Sequence, residues 1–117
     1  MRVGAGLIEL HVHGSRSLKQ KRGVVKSIIQ RLRNRFNISV AEVGGQDTWQ
    51  RAVLGLAVVG CDAQTVRRRL GLAVDFIESL HLAEIRGSDV EILDLSAEDL
   101  DSEAETPRED PLPWEKE

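Results

Sequence analysis

Aromatic side chains are almost missing from this chain, which has no tyrosine and only two phenylalanines and two tryptophans in 117 residues. Sheets that read single-stranded RNA stack two or three bases on rings carried by their central strands. Here Phe36 and Phe76 fall on helical patterns, Trp114 lies near the carboxyl end, and only Trp49 stands on a strand, at the start of the one read from Thr48 to Val59. A stacking platform of that kind is excluded. Cysteine is scarcer still. A lone Cys61 rules out a disulfide framework and a cysteine-rich zinc site, and its place after a strand predicts a small buried filler. Long apolar runs are also lacking: Ala52 to Val59 falls far short of the ~20 residues a membrane span needs. The opening Met1-Arg2-Val3-Gly4 shows no charged flank, apolar block and cleavage site, so the expectation is a cytoplasmic protein with no membrane partner. Gly4-Ala5-Gly6 lacks the third glycine and the helix of a dinucleotide site, and no nucleophile, base and orienter stand together. Neither an enzyme nor a cofactor is expected. His11 and His13 beside Glu9 offer too few ligands to predict a metal site.

What is present is charge, unevenly spread. Residues 1–95 carry 14 basic and 10 acidic side chains, or +4, whereas 96–117 carry two basic and nine acidic, or -7, summing to the net -3. From Arg16 to Arg35 there are eight Lys or Arg and no acid, half of the 16 cations in the chain. That asymmetry points to a polyanionic partner. The length suits one domain at residues 1–95. From 96 to 117 the composition turns to Asp, Glu, Ser and Pro, too apolar-poor to repay ordering, and predicts a disordered acidic tail.

Periodicity arranges the domain. From Gly6 to His13 the residues alternate, with Ile8, Leu10 and Val12 on one face, as in a half-buried strand. Ser17 then begins a helix, three residues before Gln20, the spacing of reciprocal capping. Leu18, Val25, Ile28, Ile29, Leu32 and Phe36 mark its buried stripe, and Asn37 its stop. Ile38 to Val43 and Thr48 to Val59 read as a hairpin around a turn at Gly44 to Asp47. Asp62 caps a second helix running to His81, and Ala83 to Leu95 returns to strand character. The order βαββαβ predicts a ferredoxin-like α+β fold, a four-stranded antiparallel sheet with both helices on one face.

On the first helix Lys19, Arg22, Lys26 and Arg33 fall within about 60° of one another, beside the buried stripe. At its amino end the loop Gly14 to Ser17 offers backbone N–H groups where the helix dipole favours an anion, with Arg16 and Lys19 to reinforce them. Ser15, Arg16, Ser17, Lys19, Lys21, Arg22, Lys26 and Arg33 are therefore the candidate phosphate-binding residues. Gln46, Asp47, Trp49 and Arg51 form a candidate secondary contact, in which an exposed Trp beside an Arg stacks on a base or anchors a partner. The competing assignment has Trp49 covering the end of the core and Asp47 closing the turn.

Three ordered motifs carry a resemblance. Glu9-Leu10-His11 with Gly14 to Arg22, then Arg35-Phe36-Asn37-Ile38-Ser39-Val40-Ala41-Glu42-Val43, then Gln46-Asp47-Thr48-Trp49-Gln50-Arg51-Ala52, resemble the YlxP-like family of small bacterial proteins. The similarity covers about residues 3–95. The usual pattern is broken at His13, Gly45 and Thr48, where proline, histidine and an apolar residue are common. The resemblance implies a ferredoxin-like fold, an undefined biochemical role, and a link to translation, since genes of this family commonly lie between those of an initiation factor and a ribosome-binding factor. The sequence thus predicts a non-enzymatic partner of RNA or of a ribosomal particle, concerned with ribosome maturation or translation. The alternative is a homodimeric protein-interaction module using the open sheet face and Trp49.

Overall fold

The computed structural model describes residues 1–96, so the tail expected from 96 onward lies, Ser96 apart, outside the described residues. Six elements follow the predicted order: β1 (Arg2–His11), α1 (Leu18–Arg35), β2 (Ser39–Gly44), β3 (Arg51–Gly60), α2 (Ala63–Leu80) and β4 (Glu84–Asp94). The strands form one antiparallel sheet in the order β2-β3-β1-β4. Both helices pack on one face, where period-two alternation delivers Ile8 and Leu10 from β1 and Leu54, Leu56 and Val58 from β3, none more than 4% exposed. Ile28 and Leu32 of α1 and Val66, Leu70 and Ile77 of α2 close over them. The fold is the ferredoxin-like α+β arrangement expected.

Boundaries moved where tertiary bonds decide them. β1 begins at Arg2 rather than Gly6, because Arg2 pairs with both Gly60 and Asp94, and Arg2 and Asp94 also form an ion pair. Gly4 belongs to this strand for a steric reason: a Cβ there would run into Val66 Cγ1 of α2. β3 starts at Arg51 rather than Thr48, since a turn closed by Thr48 N–H donating to Gly45 O (3.1 Å) occupies the preceding residues. Cys61 is exposed, not a buried filler, because it stands between the end of β3 and the cap of α2.

Each helix opens on a side-chain cap. Ser17 Oγ accepts from Gln20 N–H at 3.1 Å, and Gln20 Oε1 returns the bond one residue further back than expected, to Arg16 N–H at 2.7 Å. Asp62 Oδ1 accepts from Thr65 N–H at 2.8 Å, and the bonds from Thr65 hold its carboxyl below the ordinary range. Mid-helix Gly23 has no packing reason, since nothing lies within 4 Å of where its Cβ would stand. Gly23→Ala should therefore stabilise the fold by about 0.5–1 kcal/mol, read as a raised urea midpoint at unchanged m.

Candidate nucleic-acid interface

The α1 stripe is solvent-facing. Arg16, Lys19, Arg22, Lys26 and Arg33 are all exposed, and none forms an ion pair with an acid among the described residues. Lys19 and Arg33, fourteen residues apart, are separated by about 21 Å along the helix axis, a length that matches several phosphate spacings of a nucleic-acid strand. Arg33 is partly engaged: its Nη2 donates to Val40 O at 2.7 Å, tying α1 to edge strand β2.

Three expected phosphate contacts are internal instead. Ser15 is buried at 5% exposure, and its Oγ donates to Ser17 O at 3.1 Å. Ser17 spends its hydroxyl on the cap, and Arg16 N–H is taken by Gln20. The loop thus uses on itself part of the donor set expected to meet an anion. Lys21 departs furthest. Its side chain is 0% exposed, and Nζ donates to Gly45 O and, at 3.2 Å, to Arg51 O. Lys21 cannot touch a ligand phosphate; it ties the amino end of α1 to the β2–β3 connection.

Glu42 completes that tie. It shares the helix-facing side of β2 with Val40, two residues earlier, and its Oε2 lies 3.5 Å from Lys21 Nζ. Oε2 is buried and has no hydrogen-bond partner among the described residues, so the ammonium compensates it by charge alone. The Lys21–Glu42 pair was missed by sequence reasoning that read every α1 cation as surface. Helical phase was the available signal, for Lys21 falls four residues before Val25 and seven before Ile28, within the buried stripe.

The tie brings two motifs together. Gln50 Nε2 donates to Ser15 O at 3.3 Å and Val12 N–H donates to Gln50 O at 2.7 Å, so the loop carrying Trp49 is fastened to the loop carrying Arg16. Trp49 itself is 56% exposed, outside β3, and does not cover the core. Gln46 and Asp47 are exposed at the turn, while Arg51 Nε pairs with Glu9 Oε1 at 3.5 Å. Gly45 holds the turn with φ of +75°, and a Cβ there would stand 2.7 Å from Arg51 O. Gly45→Ala should cost about 1–3 kcal/mol and loosen the Trp49 loop, seen as a lower urea midpoint and faster amide exchange at Thr48.

Beyond the far end of β1, His13 Nε2 meets Glu84 Oε2 at 2.5 Å, a bond that holds the Glu84 carboxyl below its usual range. Partial burial, then Arg86 and His13, lower His11. Among the described residues no group of three or more His, Cys, Asp or Glu is placed to hold a metal ion, and no helix is long and apolar enough to cross a membrane.

Comparison with known proteins agrees with the fold. The chain is 39% identical over 77 residues, 66% of its length, to the uncharacterized protein YlxP of Bacillus subtilis strain 168, covering 84% of that protein. Among solved structures, protein YJCS superposes with a TM-score of 0.50 at 7% identity, over 80% of this chain and 99% of that one. A dimeric ferredoxin-like protein from an uncultured marine organism gives 0.45 at 9% identity, over 82% of this chain and 99% of that one. Residues 3–91 match the family described as a protein of unknown function, DUF503, nearly the whole of the folded region. The chain therefore belongs to the DUF503 family.

Proposed function

We propose that this protein is a non-enzymatic, cytoplasmic RNA-binding protein that grips a phosphate backbone with the outer edge of α1. The observation that carries this reading is the exposed stripe of Arg16, Lys19, Arg22 and Lys26, with no acidic partner among the described residues. Three uncompensated cations on one helix edge, with Arg16 in the loop that leads into it, make a field that a polyanion satisfies and a neutral ligand does not. Phosphate contacts fix register without reading sequence, so discrimination among RNAs should be weak apart from the unpaired bases that Trp49 can stack.

No phenylalanine, tyrosine or tryptophan lies in any of the four strands, which leaves the helical edge and the Trp49 loop as the binding elements. The gene neighbourhood implied by the family resemblance makes ribosomal RNA the first polynucleotide to try. Fluorescence anisotropy of the full chain with structured ribosomal RNA pieces across a salt series tests the reading, beside Lys19→Glu/Arg22→Glu/Lys26→Glu. Steep weakening with salt and loss in the variant are expected. No binding by the wild type at low salt would leave α1 as a solvated face and end the proposal.

A further inference from the structure

The sheet face turned away from the helices is apolar, and no element among the described residues covers it. Leu7, Val43, Val59 and Leu93 project from it at 49, 52, 57 and 53% exposure, one from each strand. Between them Ala5, Ala41, Gly55 and Ala57 keep the floor low, leaving a trough of about 310 Å³. Aliphatic side chains gathered on one surface in this way mark an interaction site more often than chance exposure does.

The register gives this face an order that selects its occupant. Cross-strand partners share a face, so Ala41, Gly55, Leu7 and Asp89 form one row across the sheet, and Ser39, Ala57, Ala5 and Glu91 form the next. Asp89 and Glu91, in no ion pair among the described residues, stand on one long edge, β4, while the β2 ends of the same rows carry Ser39 and Ala41. At the far end of the face Arg51 and Glu9 neutralise each other.

We infer that this face binds a second copy of the chain through a two-fold axis parallel to the strands, between β1 and β3. Such an axis lays β1 of one copy over β3 of the other at the same height. Leu7 of each copy then drops onto Gly55 of the other, a ridge entering a gap twice over, and Ala5 meets Ala57. It also sets the β4 edge against the neutral β2 edge, so Glu91 faces the Ser39 hydroxyl. An axis running across the strands would stack the β4 acids on themselves. The area is sufficient: three strands of ten or eleven residues and the six-residue β2, about 4.8 Å apart, present roughly 600 Å² before side-chain relief, against about 800 Å² per partner in a standard interface. In this dimer both helical layers face outward, and the pairing does not depend on what α1 binds.

Sedimentation equilibrium of the full chain, from low micromolar to several hundred micromolar, tests the pairing. The wild type should approach twice the chain mass of 13.0 kDa, and Leu7→Glu should be monomeric with unchanged circular dichroism. Ser39 is exposed on an edge strand, so its variants should fold and report the axis directly. Ser39→Asp should weaken the dimer about tenfold by opposing Glu91, and Ser39→Lys should tighten it. A wild type that stays monomeric throughout overturns the inference and leaves the face to another partner. A dimer indifferent to Leu7→Glu and to both Ser39 variants overturns it as well, by placing the association elsewhere.

Discussion

Replacing Lys21 with methionine should lower stability by about 3 kcal/mol, a far larger effect than any exposed α1 cation can produce. Methionine keeps much of the volume but removes every donor. Gly45 O and Arg51 O lose the ammonium that satisfies them, and Glu42 Oε2, without a hydrogen-bond partner among the described residues, loses the charge that compensates it. Each orphaned group carries a desolvation cost, and a carboxylate carries the largest. In a domain of this size the loss corresponds to a fall in Tm of roughly 12–24 °C. Lys21→Met/Glu42→Leu should recover at least ~1 kcal/mol of it, because the stranded carboxylate goes with its partner. Thermal and urea unfolding of the three proteins measures this. If Lys21→Met unfolds like the wild type, the tie between α1 and the β2–β3 connection has no energetic weight.

The same residue shows which parts of the fold were open to sequence reading. Period-two alternation in β1 and period 3.6 in α1 placed the core side chains of both elements, because a residue's face follows from spacing alone. Spacing also puts Lys21 inside the α1 stripe and Glu42 beside Val40 on the inner face of β2. Residue type argued the opposite, since lysine and glutamate are rarely interior unless paired. The pair itself joins residues 21 positions apart and is visible only once β2 lies under α1. Turn residues misled in the same way. Gly44 to Asp47 marked the turn, but the turn bond from Thr48 N–H to Gly45 O keeps the chain out of β3 until Arg51 and leaves Trp49 outside the strand.

Charge reversal on the α1 edge should have the largest effect on binding and almost none on folding. Lys19, Arg22 and Lys26 are exposed and make no ion pair within the described domain, so Lys19→Glu/Arg22→Glu/Lys26→Glu should unfold at nearly the wild-type urea concentration. Polyanion affinity is a different matter. Four phosphate contacts, counting Arg16, predict a slope of log K against log salt of about -3 for a single strand, and each contact removed takes away about 0.7 of it. The triple variant should therefore lose affinity by about a hundredfold or more at low salt and retain a slope near -1, since three attractions become three repulsions. Trp49→Ala isolates the other half of the site. Base stacking contributes about 1–3 kcal/mol and releases no counterions, so this variant should bind more weakly at every salt concentration with the wild-type slope. A parallel shift for Trp49→Ala and a flattened line for the charge variant would separate stacking from phosphate contact on a single plot. A flattened line for Trp49→Ala would mean instead that the loop acts by orienting Arg16, through the Gln50 bond to Ser15 O.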